Sequence, residues 1–337
     1  MQPFRVGIDS YSLHPLQLSP FGVLNWVKAH NGDGVQFTEV QPGKQAKLNA
    51  VYLRDLAQSA RDMGLYLEWG GGQHMPFDTA TWKPKDVLPI NETAAKQASS
   101  LGARIIRSCS GGLMRWDDKA PPTEVLLRET ARALKDQMSM LSDYGVVLAI
   151  ELHFEFTTFE LLRLFEMCGA EPGGCLGICL DTMNLLTMLE EPVAGTERIL
   201  PWVVAVHAKD GALVPGVRGL ISFTTELGSG SVDFKRILTL LATMGTPLNL
   251  SIEDHGGSFN LPVFDSTFLS RFPDLTPWEL GRLFKLAYAG HAKIVGKKIT
   301  ILARSEWPGL CEDRVARDLQ NLKGIVHQMA ETKKPPV

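Results

Sequence analysis

The sequence predicts an α/β protein, a (β/α)8 TIM barrel with a C-terminal helical extension. Three observations predict it. Short apolar runs of strand length alternate with helical segments eight times between residues 4 and 290, and such alternation implies a parallel sheet covered by crossover helices. Several helical segments stop at a glycine with a strand-like run close behind, at Gly64, Gly102, Gly145 and Gly245. Four of the runs end in a residue type that binds metals: Glu151, Asp181, His207 and Glu253. An open doubly wound sheet is the structural rival, but no Gly-x-Gly-x-x-Gly follows an early strand.

The elements follow in order. Residues 4–11 read as the first strand and its exit. Ser19 and Pro20 suit the start of a helix over 23–29. Residues 34–39 form a second strand, 46–63 an amphipathic helix, and 65–69 a third strand followed by Gly70-Gly71-Gly72. A helix over 92–100 leads to a fourth strand at 103–108, and a helix over 122–143 leads to the fifth at 146–153. Thr157 and Glu160 form a capping box for a helix to 167. Strands six to eight are expected at 177–181, 203–207 and 248–253, with a helix over 232–244 between the last two. A helix over 277–289 completes the repeat, and a further helix is expected at 313–332. The division is a barrel over 1–295 and an extension over 296–337. Two long segments, 209–233 and 255–275, follow ligand-bearing strands and are expected to be loops that form a substrate lid.

Composition narrows the function classes. The net charge is -3 with no basic patch before the tail, which excludes duplex nucleic acid as the default partner. Five cysteines without a Cys-x-x-Cys pair suit a reducing compartment. No leader-like segment and no membrane-length apolar run is present, so no membrane association is expected and the cytoplasm is the expected location.

In a barrel the C-terminal ends of all strands converge. Glu151, Asp181, His207 and Glu253 are therefore expected to be neighbours. Three crowded carboxylates repel unless a cation neutralises them. Their mixture with an imidazole suits one divalent ion, Mn2+ or Mg2+, with Co2+ or Zn2+ as further options. His153 lies two residues past Glu151 on the same strand face, where a neutral imidazole can act as a general base. Arg107 is a candidate for binding a substrate oxygen or for neutralising Glu151. Lys209 and Asp210 are candidates for orienting the site or binding substrate. His255 repeats the Glu-x-His spacing, Trp69 and Trp116 are candidates for stacking on a sugar, and Glu39 is a further strand-end candidate.

The segments Ala149-Ile150-Glu151, Cys179-Leu180-Asp181-Thr182-Met183-Asn184, Val206-His207-Ala208-Lys209-Asp210 and Leu227-Gly228-Ser229-Gly230-Ser231-Val232-Asp233 resemble strand-end motifs of the xylose isomerase-like TIM-barrel superfamily. The resemblance implies that Glu151, Asp181, His207 and Glu253 are the four metal ligands of a sugar enzyme, and that Glu151 and Glu253 also handle protons on opposite faces of the substrate. The expected function is a sugar isomerase or epimerase that abstracts the proton α to the carbonyl of a sugar or keto-sugar through a metal-stabilised enediolate. Asn184 stands where many members carry a histidine that grips substrate in the epimerases and binds a second metal in the endonucleases, so this departure counts against both the epimerase and the DNA-repair assignments and leaves Asn184 as a substrate-binding candidate. An alternative within the resemblance is a lyase that cleaves 3-oxo-glycosides, in which a histidine near the ligand glutamate serves the elimination. A non-catalytic sugar-binding barrel is the alternative from another class. A homo-oligomer is expected, with a small second subunit as a further partner under the lyase alternative.

Overall fold

The structure, a computed structural model, describes residues 4–38 and 48–331. Its strands, numbered along the chain, are β1 (Phe4–Asp9), β2 (Gly34–Phe37), β3 (Tyr66–Gly72), β4 (Ile105–Ser108), β5 (Val147–Glu151), β6 (Leu176–Asp181), β7 (Val203–Ala208), β8 (Asp210–Gly216), β9 (Gly219–Thr225), β10 (Leu248–Ile252) and β11 (Ser258–Leu261). β1 to β7 and β10 close into a parallel barrel, with β10 pairing β7 on one side and β1 on the other. All eight expected barrel strands are present.

Side chains alternate along each strand, and the two faces have different compositions. Val6, Ile8, Val35, Phe37, Ile106, Leu148, Ile150, Ile178, Leu180, Val206, Leu250 and Ile252 face outward and pack under the helices in one continuous core. The inward set is mostly small or polar. It includes Gly7, Gly34, Ala149, Cys179 and Ala205, together with Gln36, Glu68, Arg107, Glu151 and His207. Hydrogen bonds hold this interior. Tyr66 Oη lies 2.9 Å from Ser251 Oγ, Asn249 Nδ2 donates to Glu68 Oε1 at 2.8 Å, and Gln36 Nε2 donates to Glu68 Oε2 at 2.7 Å.

The Tyr66 ring fills the space that two glycines leave open. A Cβ added at Gly34 would lie 2.2 Å from the ring, and one at Gly7 would lie 2.0 Å from Gly34 O. Gly34→Ala is expected to destabilise the barrel by about 1–3 kcal/mol through overpacking, read as a lower urea midpoint. Tyr66→Ala in the same chain should remove most of that additional loss. An unchanged midpoint in the single variant contradicts this packing account.

The expected helices are present with shifted ends, and the capping box at Thr157 and Glu160 forms. The segment expected as one helix over 122–143 is two, Thr123–Lys135 and Met138–Asp143. At the break, the Gln137 side chain donates to Ala133 O and accepts from Asn91 Nδ2. Two short helices between β6 and β7, Asn184–Thr187 and Pro192–Ile199, were not anticipated. The second carries a legible start, since the Glu191 side chain accepts from Ala194 N directly before Pro192.

The two expected lid loops are corrected. β8 and β9 form an antiparallel hairpin, and β11 joins β9, so the two segments together build a three-stranded sheet. The eighth helix is corrected as well. Pro277–Val295 packs on β8 rather than closing the repeat, while Cys311–Glu331 lies against β1 and β10. Val315, Leu319, Leu322 and Val326 are its buried face, at helical spacing. Trp26 Nε1 donates to Glu312 Oε1, and Lys323 pairs with Asp33 at 2.9 Å. Among the described residues, no helix is long and apolar enough to cross a membrane.

Candidate metal centre and substrate cavity

Register brings the strand-end residues together. Asp181 of β6 stands beside His207 of β7, and His207 stands beside Ser251 of β10, two residues before Glu253. Glu151 ends β5. Each of Glu151, Asp181, His207 and Glu253 offers one ligand atom, all within 4.8 Å of one another, and all four residues are buried. Oxygen and nitrogen donors about 2.0–2.4 Å from one centre lie up to about 4.8 Å apart, so the spread is compatible with a single divalent ion. This buried cluster could bind a metal ion. It contains no thiolate ligand.

The imidazole orientation supports that fit. His207 Nδ1 faces the carboxylates, 3.3 Å from Glu151 Oε1 and 3.8 Å from Glu253 Oε2. Its Nε2 faces Gln36 Oε1 and Asp9 Oδ2. An acceptor behind the far nitrogen fixes the tautomer and aims the near nitrogen at the cluster. Thr38 Oγ1 donates to Asp9 in turn.

Two permanent cations flank the carboxylates. Arg107 Nε lies 2.9 Å from Glu151 Oε2. Lys209 Nζ lies 2.7 Å from Glu253 Oε2 and 3.3 Å from Asp181 Oδ2. Burial pushes the Glu151 carboxyl up, but Arg107 and His207 outweigh it and hold the group at about 2. Glu253 is likewise held well below the usual range by Lys209 and His207 against its burial. Asp181 goes the other way. Burial, with the charges of Glu253 and Glu151, pushes it up to about 7 despite Lys209. Asp181 is therefore the carboxylate of the cluster whose ionised form a bound cation would do most to favour.

The cluster opens into a cavity of about 320 Å3. Arg107, Glu151, His153, Lys209, Glu253 and His255 are among its lining residues. His153 Nδ1 lies 3.2 Å from Glu155 Oε2, and Glu155 Oε1 lies 3.0 Å from His74 Nε2. Burial lowers the basicity of His153, and the bond and charge of Glu155 more than restore it. With Nδ1 engaged by Glu155, Nε2 is the ring nitrogen left for other partners.

Four substrate-binding candidates lie away from the cavity lining. Trp69 is buried under a helix, where its Nε1 donates to Gln97, because it follows inward-facing Glu68 and so points outward. Trp116 packs against Phe154, Phe259 and Phe268, donates to Asn260 O and does not line the cavity. Asn184 is buried, and its Nδ2 donates to Leu152 O. Asp210 accepts backbone N–H groups from Gly211, Gly228, Gly230 and Val232, so it ties the strand exit to the following loop. Glu39 lies outside the described residues.

Sequence reasoning missed Asp9, Gln36, Glu68, His74 and Glu155, all buried. Gln36 carried a signal, since it is a polar residue inside the apolar run Val35-Gln36-Phe37.

A family model described as xylose isomerase-like TIM barrel matches residues 24–267. The uncharacterized protein YihM of Escherichia coli (strain K12) is 26% identical over 136 residues, which is 40% of this chain and 40% of that protein. Among solved structures, a xylose isomerase domain protein from Planctomyces limnophilus is 16% identical, with 98% of this chain and 99% of that one covered and a TM-score of 0.63. A D-allulose 3-epimerase from Methylomonas sp. is 13% identical, with 96% and 99% covered and a TM-score of 0.61. At these identities the likeness of the solved structures is one of fold.

Proposed function

The chain belongs to the xylose isomerase-like TIM-barrel family, and on that premise we propose that it is a divalent-metal-dependent sugar isomerase or epimerase that removes the proton α to the carbonyl of a sugar or keto-sugar. The observation that carries this is the convergence of Glu151, Asp181, His207 and Glu253 in one buried cluster, of which Glu151 and Glu253 line the cavity. The fold it shares with a D-allulose 3-epimerase supports the same reading. When bound, a divalent cation supplies Lewis-acid polarisation of the substrate carbonyl.

The chain's own residues do the rest. Glu151 and Glu253 both line the cavity and both are kept ionised by a fixed cation, Arg107 and Lys209 respectively. An ionised carboxylate beside an activated α-carbon accepts its proton, and that group, now a carboxylic acid, can give the proton back; the opposite carboxyl can protonate the same carbon only after it has itself taken a proton from solvent or a substrate hydroxyl. Return to the other face of that carbon gives epimerisation, and return to the neighbouring carbon gives isomerisation. Burial keeps both carboxylates out of bulk water.

One observation favours a second reading, a lyase acting on 3-oxo-glycosides. His153 lines the cavity, oriented by Glu155, and can serve as the acid or base of an elimination. The variants Glu151→Gln, Glu253→Gln and His153→Ala on a panel of keto-sugars and 3-oxo-glycosides test both. Under the second reading His153→Ala lowers aglycone release about 100-fold or more. A retained rate of release contradicts that reading, and full activity in all three variants contradicts both.

A further inference from the structure

We propose that the cavity holds a subsite for an anionic group on the substrate, a carboxylate or a phosphate, and that Arg304 is the residue that recognises it. This rests on the sugar-enzyme reading above and narrows its substrate class. Arg304 lies outside the segment matched by the family model, which ends at residue 267, yet it lines the same cavity as Glu151, His153 and Glu253.

The argument begins with charge. Arg107 and Lys209, the other arginine and lysine lining the cavity, are each bound to a carboxylate. Arg304 has no ion pair among the described residues. Its side-chain contact is Nη2 to His255 Nδ1 at 2.8 Å. That nitrogen also faces Gly256 O at 3.0 Å, which can only accept, and His255 Nε2 faces the Lys209 ammonium at 3.1 Å, which can only donate. The tautomer with its hydrogen on Nδ1 satisfies both neighbours. In that tautomer Nδ1 has no lone pair for Arg304. Among the described residues the guanidinium thus stands at the cavity with no carboxylate partner, and an oxyanion supplies a counter-charge and acceptors in the two-point geometry that arginine favours.

The segment carrying Arg304 is fixed in advance. Gly257 N donates to Leu302 O at 2.9 Å, tying it to the exit of β10. Ala303 N donates to Glu306 Oε2 at 2.8 Å. Trp307 is buried, and its Nε1 donates to Ser12 O at 3.1 Å, tying the segment to the exit of β1. The backbone under Arg304 is held this way, so the segment itself need not order when a ligand binds. Arg304 itself is exposed, so a ligand can reach it.

The test uses the full chain loaded with Mn2+ and three probes: a neutral ketohexose, its 6-phosphate and its 6-carboxylate. Affinity is measured by calorimetry and turnover as kcat/KM. The wild type is expected to favour at least one anionic probe over the neutral one by about 10- to 100-fold. Arg304→Gln should collapse that ratio, and Arg304→Lys should keep part of it. The probe with the larger ratio identifies the anion. No preference in the wild type, or a preference that survives Arg304→Gln, overturns the subsite, and ketose turnover in that experiment leaves the isomerase reading standing. Anion-selective binding that depends on Arg304 without turnover of any probe keeps the subsite and overturns the isomerase reading. Absence of binding by all three probes overturns both.

Discussion

Glu253→Gln is expected to lower the turnover of the best keto-sugar substrate by about 10²- to 10⁴-fold, the usual contribution of a positioned general base. The amide keeps the size of the side chain but cannot take a proton. It also leaves the Lys209 ammonium, 2.7 Å away, without half of its carboxylate pairing. Glu151→Gln should be of similar size, because it removes the partner of Arg107. The two losses should not add when combined, since both groups serve one proton-transfer sequence. Activity within threefold of wild type in Glu253→Gln would remove that residue from the chemistry.

Asp181→Asn separates metal binding from folding. The Asp181 Oδ1 oxygen accepts from Met183 N and Asn184 N, both at 2.9 Å, and asparagine can keep those bonds. The variant gives up the 3.3 Å contact from Lys209 Nζ to Oδ2, but Lys209 keeps Glu253 at 2.7 Å, and the charge that is lost is one that burial and neighbouring carboxylates already disfavour. Without metal, its melting temperature is expected to equal or exceed that of the wild type. With metal at 1,000 times its Kd, the wild type should gain about 4 kcal/mol, on the order of 5–10 °C in Tm, and the variant should gain almost none. An equal metal-induced shift in both proteins contradicts the assignment of Asp181 as a ligand.

Much of the barrel was legible because its outward faces are unbroken sets of Val, Ile, Leu and Phe, and because glycines end the helices between them. The strand-end residues Glu151, Asp181, His207 and Glu253 were legible for a related reason: a charged or imidazole group closing an apolar run has few uses except at a site. Tyr66 and Glu68 face inward, so alternation turns Trp69 outward, where its Nε1 donates to Gln97. The hairpin over 210–225 was hidden by Pro215, Gly216 and Gly219, which read as loop but sit at its turn. The position of Cys311–Glu331 could not be read at all. Its periodicity shows that one face is buried, but which strands it covers depends on chain closure. Asp9, Gln36 and Glu155 support the site from places where only the closed barrel makes them neighbours.

The central claim, proton abstraction next to a sugar carbonyl, is tested most directly by hydrogen exchange. The Mn2+-loaded protein is incubated in D2O with ketoses and 3-oxo-glycosides, and the α-C–H signals are followed by NMR. The account predicts deuterium at the carbon next to the carbonyl of at least one substrate, lost on metal removal and lost in Glu253→Gln. Absence of exchange in every member of the panel, with metal shown to be bound, would contradict it.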